Sequence, residues 1–236
     1  DTGSIPWHTI AISGHVTQGS GKISKSTGGS ALTPEHLLAT YSADAIRYWT
    51  AKGAPGVDTA FSEEQLKNGG RLVTKLWNAF RFITEHVTEK PAPTAEYDAI
   101  NSWLWNKLLI MQTSYESEME LYNYARALEQ VEQFFWRDFC DNYLELVKDR
   151  LFNPALYTTA EVTNTKATLY AAGYQLLKLY APFIPHATET IYQAIYRAHE
   201  HTPSLHTANT APEQWAQCTG AVRLAVESLS AAIAHT

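Results

Sequence analysis

The stretch Arg71-Leu72-Val73-Thr74-Lys75-Leu76-Trp77-Asn78-Ala79-Phe80-Arg81-Phe82-Ile83 decides the fold. Leu72, Leu76, Ala79 and Ile83 recur at steps of four, three and four, the period of a helix with one buried face. Arg71, Lys75, Asn78 and Phe82 recur at the same steps and form an adjoining stripe. Ser62-Glu63-Glu64-Gln65 fits a capping box, so the helix is predicted over 63–87. A helix of this kind is stable only when other elements cover its apolar face.

Those elements are mostly helical too. Downstream, the pattern predicts helices over 95–114 with Thr94 as cap, 118–150 bent or split near Phe139, 160–180, 186–199 and 212–234. The breaks are Glu89-Lys90-Pro91-Ala92-Pro93, Asn153-Pro154, Ala181-Pro182-Phe183-Ile184-Pro185 and a loop over 200–211. Upstream, Thr33-Pro34-Glu35 starts a helix over 34–40 and Ser42-Ala43-Asp44 starts one to about Lys52, followed by a turn-rich link over 53–61. Residues 8–16 alternate around Ile10, Ile12 and Val16 and read as a strand. The expected fold is mainly α: a helical bundle over 61–236, preceded by a short strand-loop-helix piece over 1–60. A nine-residue strand does not fold alone, so residues 1–60 read as the tail of a larger α/β domain.

Composition narrows the function classes. In 236 residues, 45% are hydrophobic and 12% aromatic, which supports a packed core rather than disorder. A formal net charge of −6 argues against non-specific coating of nucleic acid but allows a local basic stripe. Cys140 and Cys218 lack metal-type spacing and read as free thiols of a reducing cytosol. With no long apolar run and no signal-peptide pattern, no membrane partner is expected and the expected location is cytoplasmic. His199-Glu200-His201 and His206 lack a completing ligand set, so no metal site is expected. Trp103, Trp105, Phe134, Phe135 and Trp136 read as bundle core.

Two stretches carry candidate chemistry. A stripe such as Arg71, Lys75, Asn78 and Phe82 is most often a solvated helix face. It also holds what an unpaired base needs: cations for phosphate, an amide for a base edge and an aromatic face for stacking. Gly21-Lys22-Ile23-Ser24-Lys25-Ser26-Thr27-Gly28-Gly29 sets two lysines and two serines between glycines. Such a loop is commonly a solvated linker, yet it can also fold its ammonium groups over a triphosphate.

Lys22-Ile23-Ser24-Lys25-Ser26 resembles the KMSKS loop of class I aminoacyl-tRNA synthetases. Tyr41-Ser42-Ala43-Asp44-Ala45-Ile46-Arg47-Tyr48-Trp49 resembles their YGADALRFW helix, and Gly56-Val57-Asp58-Thr59-Ala60-Phe61-Ser62-Glu63 the connection that follows it. Lys75-Leu76-Trp77-Asn78-Ala79 and Phe139-Cys140-Asp141-Asn142-Tyr143-Leu144-Glu145-Leu146-Val147-Lys148 are similar to segments of the valyl branch. Ala181-Pro182-Phe183-Ile184-Pro185-His186 resembles the family's HPFMPF segment. Ile23 replaces the usual methionine, Gly29 stands where asparagine is frequent, and the HIGH signature and an editing domain are absent.

The resemblance implies the C-terminal part of a valine-tRNA ligase, with the bundle as anticodon-binding domain and 1–60 as the end of the catalytic domain. It implies that Lys22, Ser24, Lys25 and Ser26 serve catalysis, with Lys22 and Lys25 binding ATP as substrate of the intact enzyme. It places Arg71, Lys75, Asn78, Arg81 and Phe82 on the tRNA anticodon, Lys75 as the base or phosphate contact and Phe82 as the stacking ring. It further implies valine tRNA as partner, a monomer, and no activity of this chain alone. The alternatives are an isoleucyl or leucyl relative, or a non-catalytic helical RNA-binding module.

Overall fold

The computed structural model describes residues 3, 5, 7–19, 21–22, 33–93, 97–209 and 220–234. In chain order the α-helices are α1 Pro34–Thr40, α2 Ala43–Ala51, α3 Glu63–His86, α4 Ala99–Glu120, α5 Tyr124–Gln133, α6 Leu144–Phe152, α7 Thr159–Tyr180, α8 Pro185–Ile195, α9 Arg197–Glu200 and α10 Gly220–Ala234. A π-helical segment, Phe134–Tyr143, joins α5 to α6. The strands are β1 Val16–Gln18, β2 Gly21–Lys22 and β3 Thr59–Ala60. The fold is mainly α, as the sequence pattern predicts.

Helix starts follow local capping. Thr33, Ser42 and Ser62 each accept from a backbone N–H three residues on, at 3.4, 3.2 and 3.2 Å. At Ser62 only this half of the expected box forms. Thr158 and Glu161 make the full reciprocal box at α7. Thr94, the expected cap of the next helix, lies outside the described residues. That helix starts at Ala99, where Asp98 accepts from the amides of Ile100 and Asn101, and it runs on to Glu120.

The bundle closes around α7, which is buried from Asn164 to Tyr180 except at Lys166. A helix covered on all sides needs internal partners for its polar groups. Gln175 donates to Gln112 at 2.9 Å, Thr168 accepts from the Trp105 indole at 3.2 Å, and Lys178 donates to the Asn209 carbonyl at 3.2 Å. Gly173 makes the closest approach possible. A methyl there would lie 2.6 Å from the Tyr196 hydroxyl, 3.0 Å from Ile83 Cδ1 and 3.1 Å from Phe80 Cε1. Leu72, Leu76, Ala79 and Ile83 are all buried against this core, as their spacing predicts.

Several sequence expectations are corrected. Residues 8–15 form no strand ladder apart from a single bridge, Ser13 to Pro55. Ile10 and Ile12 are 64% and 70% exposed, because no described sheet face covers them. The ladder instead has the order β2-β1-β3, antiparallel between β1 and β2 and parallel between β1 and β3, and β3 sits inside the link read as turns. The long stretch 118–150 is broken at Leu121–Asn123, where Tyr122 takes φ 60° and the Asn123 amide turns back to the Glu118 carbonyl at 2.8 Å. Near Phe139 the stretch is split as expected, by the π-helical segment, which carries Phe135, Phe139 and Tyr143 inward as a stacked column with centroids 6.4 and 6.2 Å apart. The helix expected over 186–199 divides at Tyr196, whose buried hydroxyl donates to the Tyr170 carbonyl at 3.1 Å. The first part of the last expected helix, 212–219, lies outside the described residues.

The N-terminal piece is fastened to the bundle by α2. Buried Asp44 accepts from the amides of His186 at 3.1 Å and Ala187 at 2.6 Å, the first turn of α8. Helix α8 has Ile184 at its cap position and no capping side chain of its own, so Asp44 supplies the cap from a distant part of the sequence. Arg47 donates to the Pro182 carbonyl at 2.7 Å, the Tyr48 hydroxyl donates to Glu132 at 2.6 Å, and Lys52 forms an ion pair with Glu132.

Asp44→Ala is expected to lower the unfolding free energy by about 2 kcal/mol in denaturant titration, from the lost cap and its charge-assisted hydrogen bonds. Asp44→Asn, which keeps one acceptor, is expected to lose less. Gly173→Ala adds about 1 kcal/mol of helix propensity elsewhere in helices. Here overpacking against Tyr196, Ile83 and Phe80 is expected to outweigh that gain, giving a net loss of about 1–2 kcal/mol in the same titration.

Candidate functional site

Helix α3 presents the polar stripe beside its buried face. Arg71 is exposed and donates to Glu64 Oε1 at 2.9 Å and Asn68 Oδ1 at 2.8 Å. Lys75 is half-buried, its ammonium 5.2 Å from the centre of the Trp136 ring. Asn78 is exposed. Together with Thr40, Tyr41, Ser42, Lys67, Thr74 and Trp136, these three line an open groove of about 730 Å³ between α3 and the α1–α2 junction. The groove thus has two aromatic residues, Tyr41 and Trp136, three cations and an amide.

Arg81 and Phe82 lie outside that groove. Eleven residues at 1.5 Å each put Phe82 about 16 Å along the helix from Arg71. Arg81 is exposed, with its Nε 4.0 Å from Glu85. Phe82 is half-buried against the main core, in edge contact with His86 at 4.8 Å and 6.4 Å from Phe152. His86 meets Phe152 edge-on at 4.9 Å. Burial lowers the basicity of His86, against the opposing charge of Glu85 and with a smaller contribution in the same sense from Lys166. The structure therefore splits the predicted stripe into a cationic groove and an aromatic end.

The loop residues stand differently. Lys22 closes β2, its backbone paired with Thr17. Ser24, Lys25 and Ser26 lie outside the described residues. The chain leaves β2 toward this loop and returns at α1, so the loop is bracketed by the small sheet and the helices that Asp44 ties to the bundle.

Beside Thr40, Tyr41, Ser42, Lys67 and Thr74, Trp136 is a groove residue that the sequence pattern does not single out. It was grouped with Phe134 and Phe135 as core, and those two are buried while Trp136 is not. A shared run of aromatics gave no signal that one of them faces outward, and only the π-helical geometry decides it. Trp103 is fully buried, whereas Trp105 is half-buried. Cys140 is buried, which pushes its thiol up to about 12 and keeps it neutral; Cys218 lies outside the described residues. In the histidine-rich segment, Glu200 is taken by Lys90 at 2.9 Å and by the Tyr170 hydroxyl at 2.7 Å. Among the described residues no group of three or more His, Cys, Asp or Glu is placed to hold a metal ion, and no helix is long and apolar enough to cross a membrane.

Comparison with known proteins bears on this geometry. Residues 101–233 match the model of the anticodon-binding domain of tRNA ligase. The chain is 41% identical over 213 residues to a valine–tRNA ligase of Ehrlichia ruminantium (strain Gardel), covering 87% of this chain and 26% of that protein. It is 41% identical over 207 residues to a valine–tRNA ligase of Rickettsia felis, covering 82% of this chain and 24% of the relative. The chain thus spans about a quarter of the length of the curated relatives it matches. Its fold is similar to part of LeuRS in a ternary complex with tRNA and LeuAMS from Agrobacterium radiobacter K84, with TM-score 0.58, 17% identity, 89% of this chain and 24% of that one. With the family model matched over more than half of its length, this chain belongs to the anticodon-binding domain family of tRNA ligases.

Proposed function

We propose that this chain is the part of a valine–tRNA ligase that binds the anticodon stem-loop of valine tRNA. The observation that carries the reading is the groove on α3, where Arg71, Lys75 and Asn78 face Trp136 in a member of the anticodon-binding family. The identity to valine–tRNA ligases over most of the chain supports valine as the amino acid. The tRNA bound by the structural neighbour agrees with an RNA partner.

Each residue has a definable task. The Lys75 ammonium is held over the Trp136 indole, which limits its rotamers while leaving its N–H groups available to a phosphate or a base edge. Arg71 is paired with Glu64, but both are about two-thirds exposed. Such a pair contributes roughly 0–1 kcal/mol, so a phosphate can displace the carboxylate at little cost. Asn78 offers a donor and an acceptor to a base edge, and Arg81 a further cation. Phe82 belongs to the aromatic end, where loop bases unstack.

In this reading residues 1–60 complete the catalytic part of the enzyme and 61–236 form the RNA-binding part. Lys22 and Lys25 hold the triphosphate of ATP, with Ser24 and Ser26 as additional donors, and offset the charge that develops on the leaving pyrophosphate. ATP is the substrate of the intact enzyme, which acts as a cytoplasmic monomer. In this reading the chain alone does not activate valine, since no nucleotide-binding βαβ unit is present among the described residues.

The test is direct binding of the chain to valine tRNA and to the same tRNA with a changed anticodon, titrated across salt. Binding to the first and its loss with the second are expected; equal binding to both would contradict an anticodon reader. Lys75→Ala is expected to weaken binding and reduce the salt slope by about 1. Phe82→Ala is expected to cost about 1–3 kcal/mol of binding free energy.

A further inference from the structure

We infer that Phe152, at the C-terminal end of α6, is the ring on which an unpaired base of the bound RNA loop stacks, with Phe82 and His86 as its buttress. The inference rests on the RNA-binding reading above and adds a residue to it. The sequence stripe points to Phe82 as the stacking ring. That ring, however, is half-buried, packed against the main core and engaged by His86. Phe152 is 61% exposed, and it is the outermost member of the same aromatic group.

A lone exposed aromatic is ordinary on a protein surface. Phe152 is not alone. His86 meets it edge-on at 87° and Phe82 lies 6.4 Å away, so the ring is held in place rather than free to swing. A ring already held loses little conformational freedom when a base settles on it. The charges around the group are mixed: Lys148, one helical turn before Phe152, pairs with Glu145, and Arg81, beside Phe82, pairs with Glu85, both exposed pairs that a phosphate can displace at little cost, while Lys166 acts on His86 electrostatically.

His86 Nε2 is buried and has no hydrogen-bond partner among the described residues, so it is closed to a base resting on the exposed ring, and the face of Phe152 itself supplies the contact. Aromatic stacking gives affinity that tolerates different bases, whereas Lys75 and Asn78 in the groove discriminate among them. The two ends of the α3 stripe thus divide the work: the groove selects and the aromatic end holds an adjacent base out of the stack.

The experiment uses the 236-residue chain and a valine anticodon stem-loop carrying 2-aminopurine at one loop position at a time. In the parent, binding is expected to quench one loop position strongly through stacking. Phe152→Ala is expected to abolish that quenching and weaken binding about fivefold to a hundredfold. The slope of affinity against salt should stay unchanged, because no charge is lost. Phe152→Leu, which keeps apolar volume against His86 but removes the π face, should lose the quenching as well, while Phe152→Trp should retain it. Parent-like quenching and affinity in Phe152→Leu would overturn the inference. If Lys75→Ala and Phe82→Ala weaken binding while Phe152→Leu does not, stacking on Phe152 fails and the anticodon reading stands. If none of the three changes binding, the RNA-binding reading itself fails. A dimer of the chain that Phe152→Ala dissolves would instead assign this ring to a protein contact and would also overturn the proposal.

Discussion

Asp44 holding the N-terminus of α8 is the constraint on which the arrangement of the rest depends. Its two oxygens satisfy amides that α8 cannot satisfy locally, since Ile184 and Pro185 stand where a capping side chain would be. The interaction spans 142 residues of sequence, and it is buried. Removing one partner would leave either an unpaired carboxylate or an uncapped helix inside the protein. Because α2 carries Asp44, Arg47 and Tyr48, with Lys52 just past its end, all engaged with the bundle, the segment between the lysine-rich loop and α3 is pinned to the bundle.

That pinning gives the groove its second wall. Thr40, Tyr41 and Ser42 sit where α1 turns into α2, opposite Lys67, Arg71, Thr74, Lys75 and Asn78 on α3. Gly69 lets the two helices meet, since a methyl there would lie 2.9 Å from the Ala45 Cα. A small core of Leu37, Trp49 and Leu66 then seals the joint between α1, α2 and α3. The segment that returns from the loop and the helix that bears the cationic stripe therefore share one structural unit.

What was legible in the sequence was what local chemistry determines. Thr33, Ser42 and Ser62 mark true helix starts because an N-cap bonds within its own first turn. The buried face of α3 follows from its spacing because one helix face repeats every 3.6 residues. Residues 8–16 misled because alternation signals a strand only where a sheet covers one face, and Ile10 and Ile12 find none among the described residues. The π-helical segment was hidden because Phe135, Phe139 and Tyr143 keep a spacing of four that suits an α-helix equally well. Of the candidate groove, Arg71, Lys75 and Asn78 could be picked out in the sequence because they share one helix stripe, whereas Lys67 and Thr74, on the same helix, were not. Trp136 and Phe152 were not, because they reach the stripe from α5–α6 across the bundle, and no local pattern encodes which outward side chain meets which helix.

Helix α3, proposed as the RNA-facing helix, carries the cationic groove and, further toward its C-terminus, the aromatic end. The most direct test is photocrosslinking of a valine anticodon stem-loop bearing 4-thiouridine in its loop, followed by mass spectrometry of the attached peptides. The account predicts crosslinks to peptides containing Lys75 and Phe82 on α3, and to the end of α6 around Phe152. Crosslinks confined to α8, α9 or the segment around Leu205, on other parts of the bundle, would contradict it.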